Sequence, residues 1–243
     1  MEKAVIFVAD DFGLNAEINH AIIHAHTFGS LHATALMMGQ NATDEAVVLA
    51  QKNPSLQIGW HLHLNDSRPL TANHWPWGTS PAKAGWSISL LPSARQLVRE
   101  EIAQQWELFR ATGLNCAFIN THHHLHAHPF VYLILKEVVG PDFKGWIRLG
   151  RPCAFKPTLG SSLAFDLGDF FFARRRRLSA WRSPDTLWGV DRTFRMQPDE
   201  IQAAIKRLPN GFHEFLFHPR TLECSDTQCL LDSRLAPEKK FSA

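Results

Sequence analysis

Residues 4–13 read AVIFVADDFG, and this stretch indicates the fold. Its six leading apolar residues are typical of a strand that is buried on both faces of a parallel sheet. The Asp-Asp-Phe-Gly that follows predicts a turn, and residues 15–27 then carry apolar side chains near a period of 3.6, which predicts a helix. Strand, turn and helix in this order form the repeating unit of parallel β/α folds.

The same alternation continues along the chain. Apolar runs predict further strands at residues 32–38, 56–64, 116–120, 144–149 and 212–217. Apolar periodicity predicts helices at 43–52 (N-cap Thr43), 93–112 (N-cap Ser93), 130–139, 198–208 and, in part, 163–180. We therefore expect a single domain over residues 1–243, with a lid-like insertion at 65–92, where no period is evident, and a diverged or truncated tail at 224–243.

The composition excludes several classes of protein. Apolar residues make up 45% of the 243 residues and charged residues 20%, as in ordinary globular domains. Lys and Arg exceed Asp and Glu by 25 − 23 = 2, so no strong positive field points to nucleic acid. No apolar run approaches the roughly 20 residues of a membrane helix. The N-terminus lacks a cleavable-signal pattern and the four cysteines lack CxxC spacing, so we expect a cytoplasmic protein with reduced thiols.

Polar residues with catalytic chemistry cluster where predicted strands end. They are Asp10 and Asp11, the HxH pair His61 and His63, the 122–128 run, and His218. Because the carboxyl ends of parallel strands meet at one edge, we expect these groups to converge there. Taken singly, each group also has a structural interpretation: a turn for the aspartates, a hydrogen-bonded pair for the HxH motif and a buried side chain for the lone histidine.

The run THHHLHAHP at residues 121–129 carries the strongest signal, because five histidines in seven residues do not form a packing pattern. In an extended chain, alternate histidines would share a face about 6.5–7 Å apart, so at most one or two could bind one metal. A carboxylate with two imidazoles is a three-ligand set that leaves a position open for water. A free Asp as base and a free His as acid would complete a hydrolase site for a neutral amide or ester.

Four segments together resemble the YdjC-like carbohydrate deacetylase family, which includes the chitooligosaccharide deacetylases. They are VADDFGL at 8–14 with Asn19, GWHLHL at 59–64 with RPL at 68–70, the histidine run through Pro129, and FHP at 217–219. An Asn before the run, at Asn120, and a preceding helix at 100–113 are most similar to the hopanoid-biosynthesis-associated branch. Many relatives carry Asp-Ser where this chain has Asn-Thr, so a charged group beside the ligands would be missing.

The resemblance implies a (β/α) barrel of the glycoside hydrolase/deacetylase type, either complete, incomplete or with fewer than eight repeats. It implies removal of an N-acetyl group from an N-acetylglucosamine-containing carbohydrate or glycolipid, such as a hopanoid headgroup, with release of acetate. It further implies that Asp11, His61 and His122 bind the metal, that Asp10 is the base and that His218 is the acid. The residues expected to contact substrate or support the ligands are His63, Asn120, His124, His126 and Arg68.

The implied cofactor is one divalent metal ion. The resemblance favours Mg²⁺, whereas an Asp/His/His set suits Zn²⁺ better by ligand chemistry. The implied partner is an N-acetylated amino sugar, free or lipid-linked, with at most peripheral membrane contact through the four arginines at 174–177, and a homodimer is compatible with the sequence. Aromatic side chains that could stack on sugar rings are Trp60, Trp75, Trp77 and Trp86.

Two other functions explain part of the pattern. His61-x-His63 fits a metal hydrolase of the amidohydrolase or phosphoesterase type, although that motif usually follows the first strand, where this chain has Asp10 and Asp11. A non-enzymatic, histidine-rich metal-binding protein would explain the histidine run but not the aspartate pair or His218.

Overall fold

The computed structural model describes residues 2–140, 143–156, 179 and 181–235. Within them, eight parallel strands form one sheet in the order β5-β4-β3-β2-β1-β8-β7-β6. Sequence neighbours from β1 to β5 are adjacent in the sheet, and β8 pairs with the other side of β1. The strands are β1 (Lys3–Phe12), β2 (Ala33–Leu36), β3 (Gln57–Leu62), β4 (Phe118–Thr121), β5 (Trp146–Ile147), β6 (Arg151–Cys153), β7 (Thr186–Trp188) and β8 (Gly211–Phe217).

The sheet curls into an incomplete barrel. Trp146 in the edge strand β5 forms an isolated parallel bridge with Arg182, and the Ile147 N–H donates to the Arg182 carbonyl at 2.9 Å. This contact brings β5 towards the segment that enters β7. The expectation of an α/β fold based on a complete or incomplete barrel is therefore confirmed.

Seven α-helices lie in the described part of the chain. They are α1 (Ala16–Phe28), α2 (Thr43–Lys52), α3 (Pro81–Leu90), α4 (Pro92–Ala111), α5 (Pro129–Val139), α6 (Pro198–Arg207) and α7 (Ser225–Leu231). The first begins where the Asn15 side chain accepts a hydrogen bond from the Ile18 N–H at 2.9 Å, and it buries one apolar face against the sheet. None of the described helices has the length and apolar character required to cross a bilayer.

Several local predictions are wrong. The insertion at 65–92 contains α3, which begins at Ser80, whose hydroxyl accepts from the Lys83 N–H. Thr43 is the first residue of α2 rather than its cap, and α4 begins at Pro92, so Ser93 lies inside the first turn. Proline is favoured at that first turn because its missing N–H would have no intrahelical partner.

The start of the predicted tail is ordered structure. Helix α7 packs against α1, and the Leu230 carbonyl accepts from both the backbone and the hydroxyl of Ser30. Apart from residue 179, the predicted partial helix at 163–180 lies outside the described residues, as do the arginines at 174–177 and the chain after 235.

The barrel interior is apolar in its lower layers and polar at the carboxyl end. Ile6 and Val8 of β1 point inward with Phe118 and Trp146, whose rings stack at 4.5 Å. A Cβ at Gly59 would lie 2.5 Å from the Phe118 ring, so β3 needs glycine at this level. Alternation along each strand brings the next inward position of β1, β3 and β4 to a polar residue. These residues are Asp10, His61 and Asn120.

Candidate active site and metal centre

A β-bulge at the end of β1 directs two adjacent carboxylates into the same site. The pairing of β1 with β2 shifts register between Ala9 and Phe12, and Asp11 adopts a left-handed φ of 70°. Adjacent residues of a regular strand face opposite sides, but a bulge redirects a side chain. Asp10 Oδ1 therefore lies 4.0 Å from His61 Nδ1, and Asp11 Oδ1 lies 3.3 Å from Nε2 of the same ring.

The turn after the bulge is held by Gly13 and Asn19. Gly13 has a φ of 93°, and a Cβ there would lie 2.9 Å from the Met37 carbonyl oxygen. The buried Asn19 side chain accepts from the Gly13 N–H at 2.7 Å and donates to the Ala42 carbonyl at 3.0 Å. These contacts fix the path of the chain immediately after Asp11.

Asp11, His61 and His122 form a group that could hold a metal ion. One ligand atom from each lies within 4.8 Å of the others, and His122 Nδ1 is 3.1 Å from Asp11 Oδ1. Asp11 Oδ1 and His61 Nε2 are buried and have no hydrogen-bond partner among the described residues. Buried polar atoms left unpaired in this way cost free energy, which a bound cation would recover. The donor set therefore fits a divalent metal.

Asn120 fixes the orientation of the His61 ring. Its Oδ1 lies 2.6 Å from His61 Nδ1, and its Nδ2 donates to Asp10 Oδ1 at 2.9 Å. Because an amide oxygen only accepts, His61 Nδ1 carries a proton and Nε2 faces Asp11. Although burial opposes the shift, the Asp10 and Asp11 carboxylates raise the pKa of His61. Asn120 thus orients the ring without adding a charge of its own.

The Arg148 guanidinium links two buried carboxylates at the base of the site. It donates to Asp10 Oδ2 at 2.5 Å and Oδ1 at 3.0 Å, and its Nε donates to Glu214 Oε1 at 2.7 Å. All three side chains are at most 3% exposed. Sequence reasoning missed both Arg148 and Glu214. A signal was present, because both are charged residues within or beside apolar segments predicted as strands.

This network sets the ionisation of both carboxylates. Burial alone raises the pKa of Asp10, but the charges of Arg148 and His61 and the hydrogen bond from Arg148 bring it well below its usual range. Burial raises the pKa of Glu214 to about 7 although Arg148 opposes the shift. Asp10 is therefore ionised, while Glu214 titrates near neutrality.

His63 lies outside the metal group. Its Nε2 donates to the Met38 carbonyl at 2.9 Å, and its Nδ1 lies 2.8 Å from the Ser67 hydroxyl. Burial lowers the pKa of His63 to about 3, so the ring is neutral. Although the HxH spacing places both histidines on one face of an ideal strand, His63 serves to join β3 to neighbouring loops.

The histidine run is not extended. Residues 122–127, hereafter the histidine segment, form a kinked 3-10 segment that is interrupted at His123 and His124, whose left-handed φ angles are 55° and 56°. The alternating same-face arrangement is therefore wrong. The reason is that the chain must turn between the end of β4 and α5, which begins at Pro129.

His126 anchors the histidine segment to the barrel. Its Nε2 donates to the Arg148 carbonyl, and its Nδ1 accepts from the Thr121 hydroxyl at 2.8 Å. Burial, with the charge of Arg148, lowers its pKa to about 3. Burial and the same guanidinium hold the pKa of His124 well below its usual range, and His124 Nδ1 has no hydrogen-bond partner among the described residues. His124 Nδ1 is therefore a buried nitrogen of the segment that is available to a ligand.

His218 lies beside this centre, whereas Arg68 lies in an exposed loop. The His218 backbone N–H donates to Asp226 Oδ2 at 2.8 Å, and its buried Nδ1 has no partner in the described part of the chain. Electrostatic interaction with Asp10 and His124 places the His218 ring beside the site. Arg68 is exposed in the loop after β3, where its carbonyl accepts from the Gln40 side chain at 3.0 Å.

Three of the four tryptophans considered for sugar stacking are buried. Trp60 is in the core, while Trp75 and Trp77 donate through their indole N–H groups to the Ser67 and Leu64 carbonyls. The buried Glu101 carboxylate accepts from three donors of the same loop, at Leu70 and Thr71. Trp75 and Trp77 hold the loop after β3 together, and none of the three buried rings presents a free face to a sugar. Trp86 on α3, by contrast, is 69% exposed.

The fold and the site define an α/β barrel protein with a candidate metal centre at the carboxyl ends of its strands. A comparison with protein families matches residues 4–236 to the YdjC-like protein family, and the chain belongs to that family. The resemblance noted from the motifs is thereby confirmed.

Curated relatives match over a shorter span. A "Carbohydrate deacetylase" from Vibrio campbellii is 38% identical over 138 residues, which are 55% of this chain and 54% of the relative. Another from Oceanobacillus iheyensis is 36% identical over 132 residues, 53% of this chain and 57% of the relative. The chain thus aligns with about half the length of these relatives.

A solved structure covers nearly the whole chain. It is that of a protein from Enterococcus faecalis V583 whose proposed role is cellobiose-phosphate cleavage, with a TM-score of 0.65. The alignment covers 97% of this chain and 93% of that one at 18% identity, so the likeness supports the fold alone.

Proposed function

We propose that this protein is a metal-dependent carbohydrate N-deacetylase that hydrolyses the acetamide of an N-acetylated amino sugar to acetate and a free amine. The observation that carries the proposal is the convergence of Asp11, His61 and His122, with unpartnered ligand atoms, beside the ionised Asp10. The deacetylases among the curated relatives support the reaction class.

The metal would be held by Asp11 Oδ1, His61 Nε2 and one ring nitrogen of His122. Two imidazoles and one carboxylate favour Zn²⁺ over Mg²⁺, which prefers oxygen ligands. When bound, a divalent ion would supply Lewis acidity to the acetamide carbonyl and lower the pKa of water. The protein contributes His61 in an orientation fixed by Asn120, with Nε2 facing Asp11.

Asp10 is positioned as the general base. A carboxylate offers about four acceptor positions, and Asp10 uses three of them for Arg148 and Asn120. One position on Oδ2 is left for the proton of the attacking water. Because Arg148 lowers the pKa of Asp10, the carboxylate starts the reaction ionised.

His218 is the candidate acid on the other side of the site. The Asp226 carboxylate holds its backbone N–H, while Nδ1 remains buried without a partner among the described residues. A proton delivered from this ring to the amide nitrogen allows the C–N bond to break, so that the amino sugar leaves as a neutral amine and the acyl group leaves as acetate.

A glycolipid headgroup, such as an N-acetylglucosaminyl hopanoid, is the more specific substrate that we propose. Helix α3 packs against the histidine segment, and three large apolar side chains of α3 and of the residue that follows it are exposed. These are Trp86, Leu90 and Leu91, at 69%, 68% and 51% exposure. Such a surface next to a polar sugar site suits a substrate that joins a sugar to an apolar carrier.

The test is acetate release from a panel of free N-acetylglucosamine oligosaccharides and the lipid-linked sugar. Metal-stripped protein is compared with protein supplied with Zn²⁺ or Mg²⁺, together with Asp10→Asn and His218→Asn. Asp44→Asn and His74→Ala, at exposed positions of α2 and of the loop after β3, are matched controls. We expect metal-dependent acetate that both site variants reduce by at least about 100-fold. Acetate release that survives metal removal, or both site variants, would refute the proposal.

A further inference from the structure

We propose that Asp66, His122 and His123 form a second metal site, of the zinc-binding class, on the outer side of the histidine segment. One ligand atom from each residue lies within 4.8 Å of the others. Asp66 Oδ2 is 3.4 Å from His123 Nε2, and the rings of His122 and His123 are 4.2 Å apart. The inference rests on these contacts and does not require the deacetylase function.

Two separate connections of the barrel meet at this outer site. Asp66 lies in the loop that follows β3, whereas His122 and His123 follow β4, the next strand of the sheet. Asp66 has a left-handed φ of 49° and His123 one of 55°. The turn at His123 sends its ring towards Asp66, while His122 remains against Asp11.

The outer site differs from the Asp11 group in exposure. The side chains of His123 and Asp66 are 37% and 48% exposed, compared with 1% and 10% for His61 and Asp11. Exposed ligands lose more side-chain entropy when an ion fixes them, and water competes for the ion. We therefore expect weaker binding at the outer site than at the inner one.

The ligand chemistry selects among ions. Two imidazole nitrogens and one carboxylate oxygen suit Zn²⁺, Co²⁺ or Cu²⁺, whereas Mg²⁺ prefers an oxygen shell. An excess of zinc should therefore occupy both sites, and magnesium should leave the outer one empty. Because His122 belongs to both groups, occupation of both sites requires His122 to bridge the two ions as an imidazolate, with one ring nitrogen to each ion and release of the ring proton to solvent.

The test is equilibrium dialysis of the metal-stripped full chain against Zn²⁺ and, separately, Mg²⁺, with Co²⁺ absorption spectra as a second readout. We expect one tight and one weaker Zn²⁺ event in the unsubstituted protein and no second event with Mg²⁺. Asp66→Asn and His123→Ala should each weaken the second event at least about ten-fold and leave the tight one intact. Exposed His74 provides the matched control variant, His74→Ala, which should retain both events.

Three results would overturn the second site. They are a single Zn²⁺ event in the unsubstituted protein, a second event that persists unchanged in both outer variants, and a second event that is equally weakened by His74→Ala. Circular dichroism of each variant establishes that the fold is retained. Since the readout is metal binding, failure to release acetate from any sugar would count against the deacetylase proposal and not against this site.

Discussion

The end of β3 and the histidine segment after β4 are both rich in histidine, yet each contributes one ring to the group around Asp11. In β3 that ring is His61, whereas His63 is hydrogen-bonded to Met38 and Ser67. In the segment it is His122, whereas His126 is bound to Thr121 and the Arg148 carbonyl.

The two regions differ in how the backbone separates the histidine that faces Asp11 from the histidine that is hydrogen-bonded elsewhere. Strand β3 ends at Leu62, so His63 is the first residue of the following loop, whereas the kinked 3-10 segment turns successive rings in different directions. The number of histidines in a motif therefore does not give the number of ligands. A ring can bind a metal only if one nitrogen is left without a protein partner.

Removing a ligand should have the largest effect. His61→Ala and His122→Ala each take away one of three donors, so we expect loss of stoichiometric Zn²⁺ binding at the inner site and acetate release at background. Equilibrium dialysis and the acetate assay measure these outcomes. Retention of the tight Zn²⁺ event in either variant would show that the ring in question is not a ligand.

Among these substitutions, removing Arg148 from its ion network should lower the free energy of unfolding most. Arg148→Met leaves Asp10 and Glu214 buried without their cation, which costs about 3–5 kcal/mol. Denaturant unfolding of the metal-stripped protein measures the change. Arg110→Met, which removes an exposed ion pair with Glu107, should cost below about 1 kcal/mol. Equal effects in the two variants would contradict the structural role of Arg148.

Substituting the hydrogen-bonded histidines should sharpen the contrast between the regions. His63→Ala and His126→Ala leave buried partners unpaired, so each should lower the free energy of unfolding by about 1–3 kcal/mol. Each should also keep the tight Zn²⁺ event within about ten-fold of the unsubstituted protein. A loss of Zn²⁺ affinity beyond this ten-fold limit would place that histidine among the ligands instead.

Between pH 7 and pH 6, the pH dependence of stability should show the smallest effect. The pKa of His126 falls from 6.5 to about 3 on folding, so the unfolded chain takes up a proton that the folded chain refuses. The contribution of His126 to the free energy of unfolding is fully present above pH 6.5. It declines as the pH falls towards 3, by up to about 1.4 kcal/mol per pH unit. Urea unfolding of the metal-stripped protein should give a shallower decline in His126→Asn. An unchanged slope in that variant would contradict the shifted pKa, and His74→Asn is the control.

Much of the barrel could be predicted from local pattern. Residues 4–9 are a continuous apolar run, four of the six residues at 212–217 are apolar, and both segments lie in central strands. The edge strand β6 and its neighbour β7 could not be predicted, since three residues carry no recognisable period and their pairing depends on neighbours distant in the chain. Helix α3 was missed because its tryptophan and leucine face outward and obscure the amphipathic pattern.

The sequence by itself determined the chemistry that the site contains, because Asp10, Asp11 and the histidine motifs stand at the ends of recognisable strands. Only the tertiary structure decided which of these groups meet. A bulge and a left-handed Asp11 bring two carboxylates to one ring, and a 3-10 turn separates His122 from His126. The pairing of Arg148 with Asp10 joins residues 138 apart in the chain. Such contacts depend on barrel curvature and burial, which no local period encodes.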